Sequence, residues 1–519
     1  MPAHPATLAE VVRDVARRNG SKPAIIFQDT EISYAALDAA IERAANGLAA
    51  RGIGHGDRVA IMLPNLPQFV IAYYAVQRVG GVVVPINVLY KAEEIAYVLN
   101  DSEATALFVY EGFYPSAAAA LSNVPSVAHV FFVGTSDAPD GTTPWNTLTD
   151  GSAPERAPVV VTPDDLATIC YTSGTTGRAK GAMLSHRNFL ANCEQCDDLP
   201  RCTAREEDRA LVVLPLFHIY GMNVCMTAML RIGATMVLIP RFEATAVLEQ
   251  MQKHRCTALY GAPPMFVAWV NHPGLSSFDL SSVRFAFSGA AALPVQVLES
   301  FRDTTGVEIV EGYGLTEASP VSHSNAAGPI NKPGTIGPVI PGVEARIVDD
   351  DDHDVPPGAE GEILLRGDNI FSGYWRMPEA TAEALRGGWF HTGDIATVDD
   401  DDYYTIVDRK KDMINAGGLK IWPREVEEVL YRHPAVQEAA VVAMPDPYAG
   451  ERPMAFVALK NGQAVTADDL IAYCRAHLAT FKAPRHIEFR PELPKLPTGK
   501  ILRRVLRDDA KNLVAVSGT

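Results

Sequence analysis

The sequence predicts an α/β protein with a large N-terminal domain of layered, mostly parallel sheets under helices, a small β-barrel-like subdomain, and a small α+β C-terminal domain. Three observations carry that expectation. From Asp38 to Pro85 two patterns alternate: apolar residues recur at helical spacing over Asp38–Arg51 and Gln68–Arg78, while Arg58–Leu63 and Gly81–Pro85 read as short buried strands. Between Val339 and Asp408 short β-like segments (Ala345–Val348, Glu362–Arg366, Tyr404–Val407) are separated by Gly, Pro and Asp clusters, as in a small barrel or antiparallel sheet. Past Asp408 come a Gly417-Gly418 turn and then Pro423-Arg424-Glu425-Val426, which opens a helix because proline fits a first turn. Strands at Ala439–Met444 and Met454–Leu459 and a helix over Ala467–Leu478 complete a compact unit, so a domain boundary falls near Lys411.

The 519 residues are 47% hydrophobic and 21% charged, which excludes disordered and fibrous classes. Lys and Arg number 45 against 62 Asp and Glu, a formal charge of −17, so nucleic acid is not an expected partner and any phosphate site has to be local. The opening MPAHPATLAEV has no basic segment followed by an apolar run, so no signal peptide is expected and a cytoplasmic location is. The uncharged stretch between Arg209 and Arg231 has the length of a membrane span, yet Pro215, His218, Gly221 and Asn223 would leave polar groups unpaired in lipid. It reads as a buried strand, a turn and a helix lining a pocket. Seven Cys form no disulfide framework, and Cys193 and Cys196 have no second pair to complete a zinc site. The acidic runs Asp349–Asp352 and Asp399–Asp402 lack calcium-loop spacing and read as solvated turns.

The sharpest local feature is Tyr171-Thr172-Ser173-Gly174-Thr175-Thr176-Gly177-Arg178-Ala179-Lys180-Gly181, after the apolar Leu166–Cys170 and before a helix expected near Ser185. Small residues let backbone amides approach an anion, hydroxyls donate to its oxygens, and Lys180 supplies charge, so this loop should hold phosphates. It is not the P-loop: Gly174 and Gly177 are too close, and Gly181 follows Lys180.

Four further segments follow in order: LPLFHIYGM (Leu214–Met222), EGYGLTE (Glu311–Glu317), HTGD (His391–Asp394) and LPTGK (Leu496–Lys500). With the loop, they resemble the AMP-forming adenylating enzymes, the superfamily of acyl-CoA synthetases, luciferases and peptide-synthetase adenylation domains. The resemblance implies ATP, Mg2+ and CoA, a carboxylic acid converted to acyl-adenylate and then thioester, and a mobile C-terminal domain (412–519) turning on a hinge at 409–411 against an N-terminal domain of 1–408. The nucleotide would be held by Thr172, Ser173, Gly174, Thr175, Thr176, Gly177, Lys180, Ala290, Ala291, Glu311, Gly312, Tyr313, Thr316, Asp394, Arg409, Lys411 and Lys500. Within that set Tyr313 lies flat on adenine, Thr316 meets the α-phosphate, Asp394 accepts the ribose hydroxyls, and Thr172 and Glu317 serve the magnesium. Lys500 is the foremost catalytic candidate, with Thr316, Glu317 and His218, because a lysine ammonium between a carboxylate and an α-phosphate offsets their repulsion most in the transition state. Lys411 resembles the hinge residue.

For CoA the resemblance points to Arg241, Gly417 and Gly418, although Gly417 departs from the Lys-Gly of many members, and Ala179 departs from a usual proline. For the acyl group it points to His218, Tyr220, Gly221, Met222, Gly289, Ala290, Tyr313, Gly314, Pro320 and Val321. None carries a fixed charge at neutral pH, and the small residues leave room for something extended, so a medium- to long-chain fatty acid is the expected substrate. An aromatic acid is the second expectation, since His218 and Tyr220 could bond a ring hydroxyl. An amino-acid adenylation module would need an Asp for the substrate ammonium where His218 stands, and a silent nucleotide-binding relative would have lost Lys500, Glu317 or Lys180. A monomer or homodimer is expected, with peripheral membrane contact where the substrate is a lipid.

Overall fold

The structure, a computed structural model, describes residues 5–172, 179–197, 199–446, 448–496 and 499–517. Two extended sheets make up most of it. One orders its strands Thr143–Pro144, His129–Val133, Ala106–Tyr110, Arg58–Met62, Val82–Pro85, Leu166–Thr172 and Lys180–Ser185, all parallel except the last pair. The other runs Val321–Ser324, Ile309–Gly314, Phe285–Ser288, Ala258–Gly261, Arg209–Val212, Thr235–Leu238, Pro23–Phe27 and Thr30–Ser33, with only its two outermost pairs antiparallel. Parallel strands need crossover connections, and the helices that supply them cover both faces. Helix Pro67–Arg78, opened by its proline, is buried at every position except Gln68. It packs on helix Tyr34–Ala49, whose Ser33 caps the N-terminus by accepting from the Ala36 amide. Asn65 ties the two sheets together, donating to the Leu214 carbonyl (3.0 Å) and accepting from the Leu216 amide (2.9 Å).

The predicted β subdomain is present as an open sheet of four antiparallel strands, Val343–Val348, Gly361–Gly367, Phe390–Val398 and Tyr404–Arg409, not as a barrel. Its first and last strands do not pair, so there is no closure. The stretch Arg209–Arg231 divides, as expected, into strand Arg209–Val212, π-helix Tyr220–Thr227 and helix Ala228–Ile232. Among the described residues no helix is long and apolar enough to cross a membrane. Cys193 lies within helix His186–Gln195 and Cys196 at its end, and burial pushes the Cys193 thiol up to about 12.

The C-terminal unit has its own apolar core, centred on Ile414, Val426, Val441, Val457 and Leu470. Strand Gly450–Leu459 lies at its centre, flanked by Val436–Asp446, Ile414–Ala416 and His486–Phe489, with helices Pro423–Tyr431, Ala467–His477 and Arg503–Ser517.

Candidate active site

Strand pairing explains why Asp394 and Arg409 meet. They are register partners on adjacent antiparallel strands, and Arg409 Nε stands 3.4 Å from Asp394 Oδ1. The other carboxylate oxygen accepts the Tyr313 hydroxyl at 2.5 Å. Gly393, at φ +71°, makes the left-handed turn that points the buried Asp394 this way, a backbone angle few other residues tolerate. Tyr313 is the penultimate residue of strand Ile309–Gly314, its ring edge-on to His323, whose imidazole burial pushes down to about 3. Glu311, two residues earlier on that strand, accepts the Leu293 amide (3.1 Å), and burial pushes its carboxyl up to about 7.

The phosphate-loop candidates lie differently from the expectation. Thr172 and Lys180 are register partners, and the strand Lys180–Ser185 intervenes before the helix, so the loop joins two antiparallel strands instead of leading from strand to helix. With only the adjacent pair Met183-Leu184 as large apolar residues among Gly181, Ala182 and Ser185, the segment shows no alternation to announce that strand. Ser173, Gly174, Thr175, Thr176 and Gly177 lie outside the described residues. Lys180 Nζ stands 4.8 Å over the Tyr374 ring, and the Tyr374 hydroxyl donates to Glu317 Oε1 (3.0 Å). Backbone bonds from Trp375 to Gly181 (2.7 Å) and from Met183 to Gly373 (2.9 Å) lock the Tyr374 segment to the hairpin. Tyr374 is thus a site residue that sequence reasoning missed; its only signal was an aromatic pair beside a glycine in Phe371–Trp375. Thr316 and Glu317 begin a 3-10 turn, Thr316–Ala318, and burial holds the Glu317 carboxyl above its ordinary range. A buried hard-oxygen donor short of compensating charge fits a divalent cation that takes its other ligands from phosphates.

Lys500 comes to this cluster from the C-terminal unit. Its carbonyl accepts the Leu496 amide (2.8 Å), Leu502 bonds back to Pro494 (2.8 Å), and Gly499 sits at φ +81° against Pro264, where an added Cβ would stand 2.4 Å from the proline Cγ. Just past the loop, Arg503 bonds the buried Glu427 (2.6 Å) and approaches Asp408 at 3.7 Å, anchoring the start of helix Arg503–Ser517. Burial, then the neighbouring Arg409 charge, pushes the Lys500 ammonium down to about 7. His218 is within its electrostatic reach, and burial pushes that imidazole down to about 4. Its Nδ1 accepts the Tyr220 amide (3.3 Å), so Nε2 is assigned the N–H of the neutral ring.

On the acyl side the glycines do not leave the room expected of them. A Cβ at Gly221 would stand 2.2 Å from the Pro215 carbonyl oxygen, one at Gly314 2.1 Å from that of Pro320, and one at Gly289 3.1 Å from the Tyr220 ring. The missing side chains admit backbone and an aromatic ring, not open space. Tyr220 donates to the Phe287 carbonyl (3.2 Å), Met222 is fully buried, Pro320 and Val321 are buried behind Gly314, and Ala290 holds φ +71° beside the exposed Ala291. Gly312 is filled likewise, by the Phe287 ring at 2.3 Å.

Lys411 lies in the 3-10 turn Lys410–Asp412 between the two units. Gly417 and Gly418, at φ +64° and +90°, cap the exposed hairpin between Ile414–Ala416 and Leu419–Ile421, and Arg241 is exposed after strand Thr235–Leu238. None of these three contributes to the cluster around Lys500 in this arrangement.

This geometry agrees with known proteins along the whole chain. The family model of the AMP-binding enzyme matches residues 12–375, and that of the AMP-binding enzyme C-terminal domain matches residues 425–500. A long-chain-fatty-acid–CoA ligase of Bacillus subtilis (strain 168) is 38% identical over 99% of this chain and 96% of its own. A feruloyl-CoA synthase of an Amycolatopsis species is 39% identical over 95% of this chain and 96% of its own. Among solved structures, the anthranilate CoA ligase AuaEII in complex with anthranoyl-AMP superposes with a TM-score of 0.92 at 30% identity, covering 99% of both chains. ATP-bound MatB from Rhodopseudomonas palustris gives 0.90 at 33%, covering 98% of this chain and 99% of its own. The chain belongs to the AMP-binding, adenylate-forming enzymes.

Proposed function

We propose that this protein is an AMP-forming acyl-CoA ligase that activates a medium- to long-chain fatty acid with ATP and passes the acyl group to CoA. One observation carries the reading: the Lys500 loop is seated on Pro264 of the N-terminal domain, bringing an ammonium from the small domain to Asp394, Arg409 and His218. Asp394 takes the ribose hydroxyls, exchanging its bond from Tyr313 for them, while Arg409 stays paired with it at 3.4 Å. Lys180, Thr172 and Thr316 receive the phosphates. Glu317, steadied by Tyr374, is the residue to hold Mg2+, which when bound neutralises phosphate charge. As the substrate carboxylate nears the α-phosphate, the Lys500 ammonium lies between two anions, an interaction stronger in the transition state than before it. Such a preorganised cation is worth most in a site closed to water.

The domains divide at 1–408 and 412–519, and residues 409–411 serve as the hinge. Turning about Lys411 withdraws Lys500 and brings forward the Gly417-Gly418 hairpin, whose bare backbone gives pantetheine a close approach; Lys500 and the hairpin thus serve different orientations of the one small domain, and Arg241 is the contact offered by the N-terminal domain. The fatty-acid assignment rests on an uncharged acyl wall and on the long-chain-fatty-acid–CoA ligases among the relatives. An aromatic acid is the second reading, favoured by the Nε2–H assigned to His218. The test is kcat/KM for acetate, octanoate, palmitate, benzoate and 4-coumarate at saturating ATP and CoA. Buried methylenes are worth about 0.8 kcal/mol each, so the value should climb several-fold per CH2 until the pocket ends. A maximum at acetate or an aromatic acid overturns the fatty-acid assignment.

A further inference from the structure

Glu362 belongs to none of the motifs, yet it joins two of their products. It is a buried carboxylate in strand Gly361–Gly367, and its two oxygens face different partners. Oε1 accepts the amide of Gly393 at 2.9 Å, at the left-handed turn that aims Asp394. Oε2 accepts Lys410 Nζ at 3.3 Å. Lys410 lies between Arg409, which pairs with Asp394, and Lys411, the proposed hinge. Its ammonium also reaches Asp350 at 2.7 Å, in the acidic turn that sequence analysis read as a solvated loop. A row of contacts therefore runs from Asp350 through Lys410 and Glu362 to the backbone that orients Asp394.

Charge bookkeeping gives this row a direction. A carboxylate as buried as Glu362 needs a cation or several donors, and stripping a buried acid of its partner is costly. His391 Nδ1 stands 4.0 Å away, beyond hydrogen-bonding distance, and burial lowers its pKa, leaving the ring neutral at physiological pH. Lys410 is thus the cation bonded to Glu362, and it is carried by the segment that has to move if the small domain turns. Asp350 is largely exposed, so its arm of the contact is weak and open to salt.

We propose that Glu362 is a positioning residue that couples domain orientation to the nucleotide site: while Lys410 is docked on it, the Gly393 turn is held and Asp394 is set for ribose, and when the hinge turns that support is withdrawn. The proposal rests on the two-orientation reading above. The experiment measures pyrophosphate exchange, the reaction of preformed acyl-AMP with CoA, and AMP affinity by calorimetry in wild type, Lys410→Met, Lys410→Arg and Asp350→Asn. In Lys410→Met the KM for ATP should rise and AMP affinity fall by about tenfold, with the CoA half-reaction kept or faster. Lys410→Arg should restore most of the loss. Asp350→Asn should lose about two- to threefold, a difference that disappears at high salt. Unchanged AMP affinity in Lys410→Met, or equal losses in both half-reactions, overturns the coupling. A wild type that binds AMP but exchanges pyrophosphate with no acid overturns the catalytic reading instead, and the calorimetric comparison still judges the coupling.

Discussion

The nucleotide wall and the acyl wall of the site are made from opposite materials. On the nucleotide side, Tyr313, Asp394, Arg409, Glu317 and Tyr374 each have a named polar partner, and exchanging any of these side chains changes the chemistry offered to a phosphate or a ribose. On the acyl side, Gly221 and Gly314 meet backbone carbonyls and Gly289 meets a ring, so the residues are chosen for what packs behind them. The difference teaches where a motif can be trusted. Polar recognition demands particular groups at particular places, whereas an apolar wall is defined by shape, and many side-chain sets give the same shape.

The largest test of this contrast is Lys500→Ala. Adenylate formation should fall on the order of a hundredfold or more, while preformed acyl-AMP still reacts with CoA, because the lysine serves one orientation only. Equal losses in pre-steady-state assays of the two half-reactions would place Lys500 on a structural footing.

Gly314→Ala probes the other wall. With only 2.1 Å between the new Cβ and the Pro320 carbonyl, backbone has to move, and stability should drop by about 1–3 kcal/mol, read as a lowered Tm. A variant as stable as wild type with a lengthened acyl preference would restore the idea that this glycine provides room.

Tyr374→Phe keeps the ring under Lys180 and removes the donor to Glu317. Leaving that buried carboxylate without its hydroxyl should slow adenylation about tenfold, and Tyr374→Leu should cost more. If Phe and Leu behave alike, the hydroxyl is the whole contribution.

The smallest effect is on pH. Lys500 in the free enzyme, pushed down to about 7, is charged below that pH and loses its proton above it, so kcat/KM for adenylation should decline as pH rises past about 7. Bound triphosphate favours the charged form and should move the same limb of kcat to higher pH. His218, pushed down to about 4, stays neutral throughout and adds no limb in this range. Persistence of the descending limb in Lys500→Ala would assign it to another group.

Much of this was open to a reader of the sequence. Helix Pro67–Arg78, strand Arg58–Met62 and, in the C-terminal unit, strands Val436–Asp446 and Gly450–Leu459 and helices Pro423–Tyr431 and Ala467–His477 follow hydrophobic periods and helix-start signals, whereas strand His486–Phe489 and helix Arg503–Ser517 were not expected. Asp394, Glu317, Tyr313 and Lys500 were reached through the resemblance of their segments to the adenylating enzymes, and acids, a hydroxyl and a cation are the groups that phosphate, ribose and magnesium call for. Strand Lys180–Ser185 was hidden by its small residues, and the β subdomain's openness by the lack of any local signal for closure. Tyr374 and Glu362 were hidden for another reason: each acts on a residue far along the chain, and nothing beside either one announces it.

By itself the sequence determined which local elements form and which chemical groups are on offer, since hydrophobic period, turn chemistry and side-chain identity are properties of neighbouring residues. Only the tertiary structure decided who meets whom: that the Lys500 loop is seated against Pro264 through Gly499, that Tyr374 joins Lys180 to Glu317, that the acyl glycines accept backbone or a ring, and that a lysine beside the hinge shares a carboxylate with the ribose turn. Those encounters depend on strand register and on close approach between remote segments, and no local pattern encodes the distance between two parts of a folded chain.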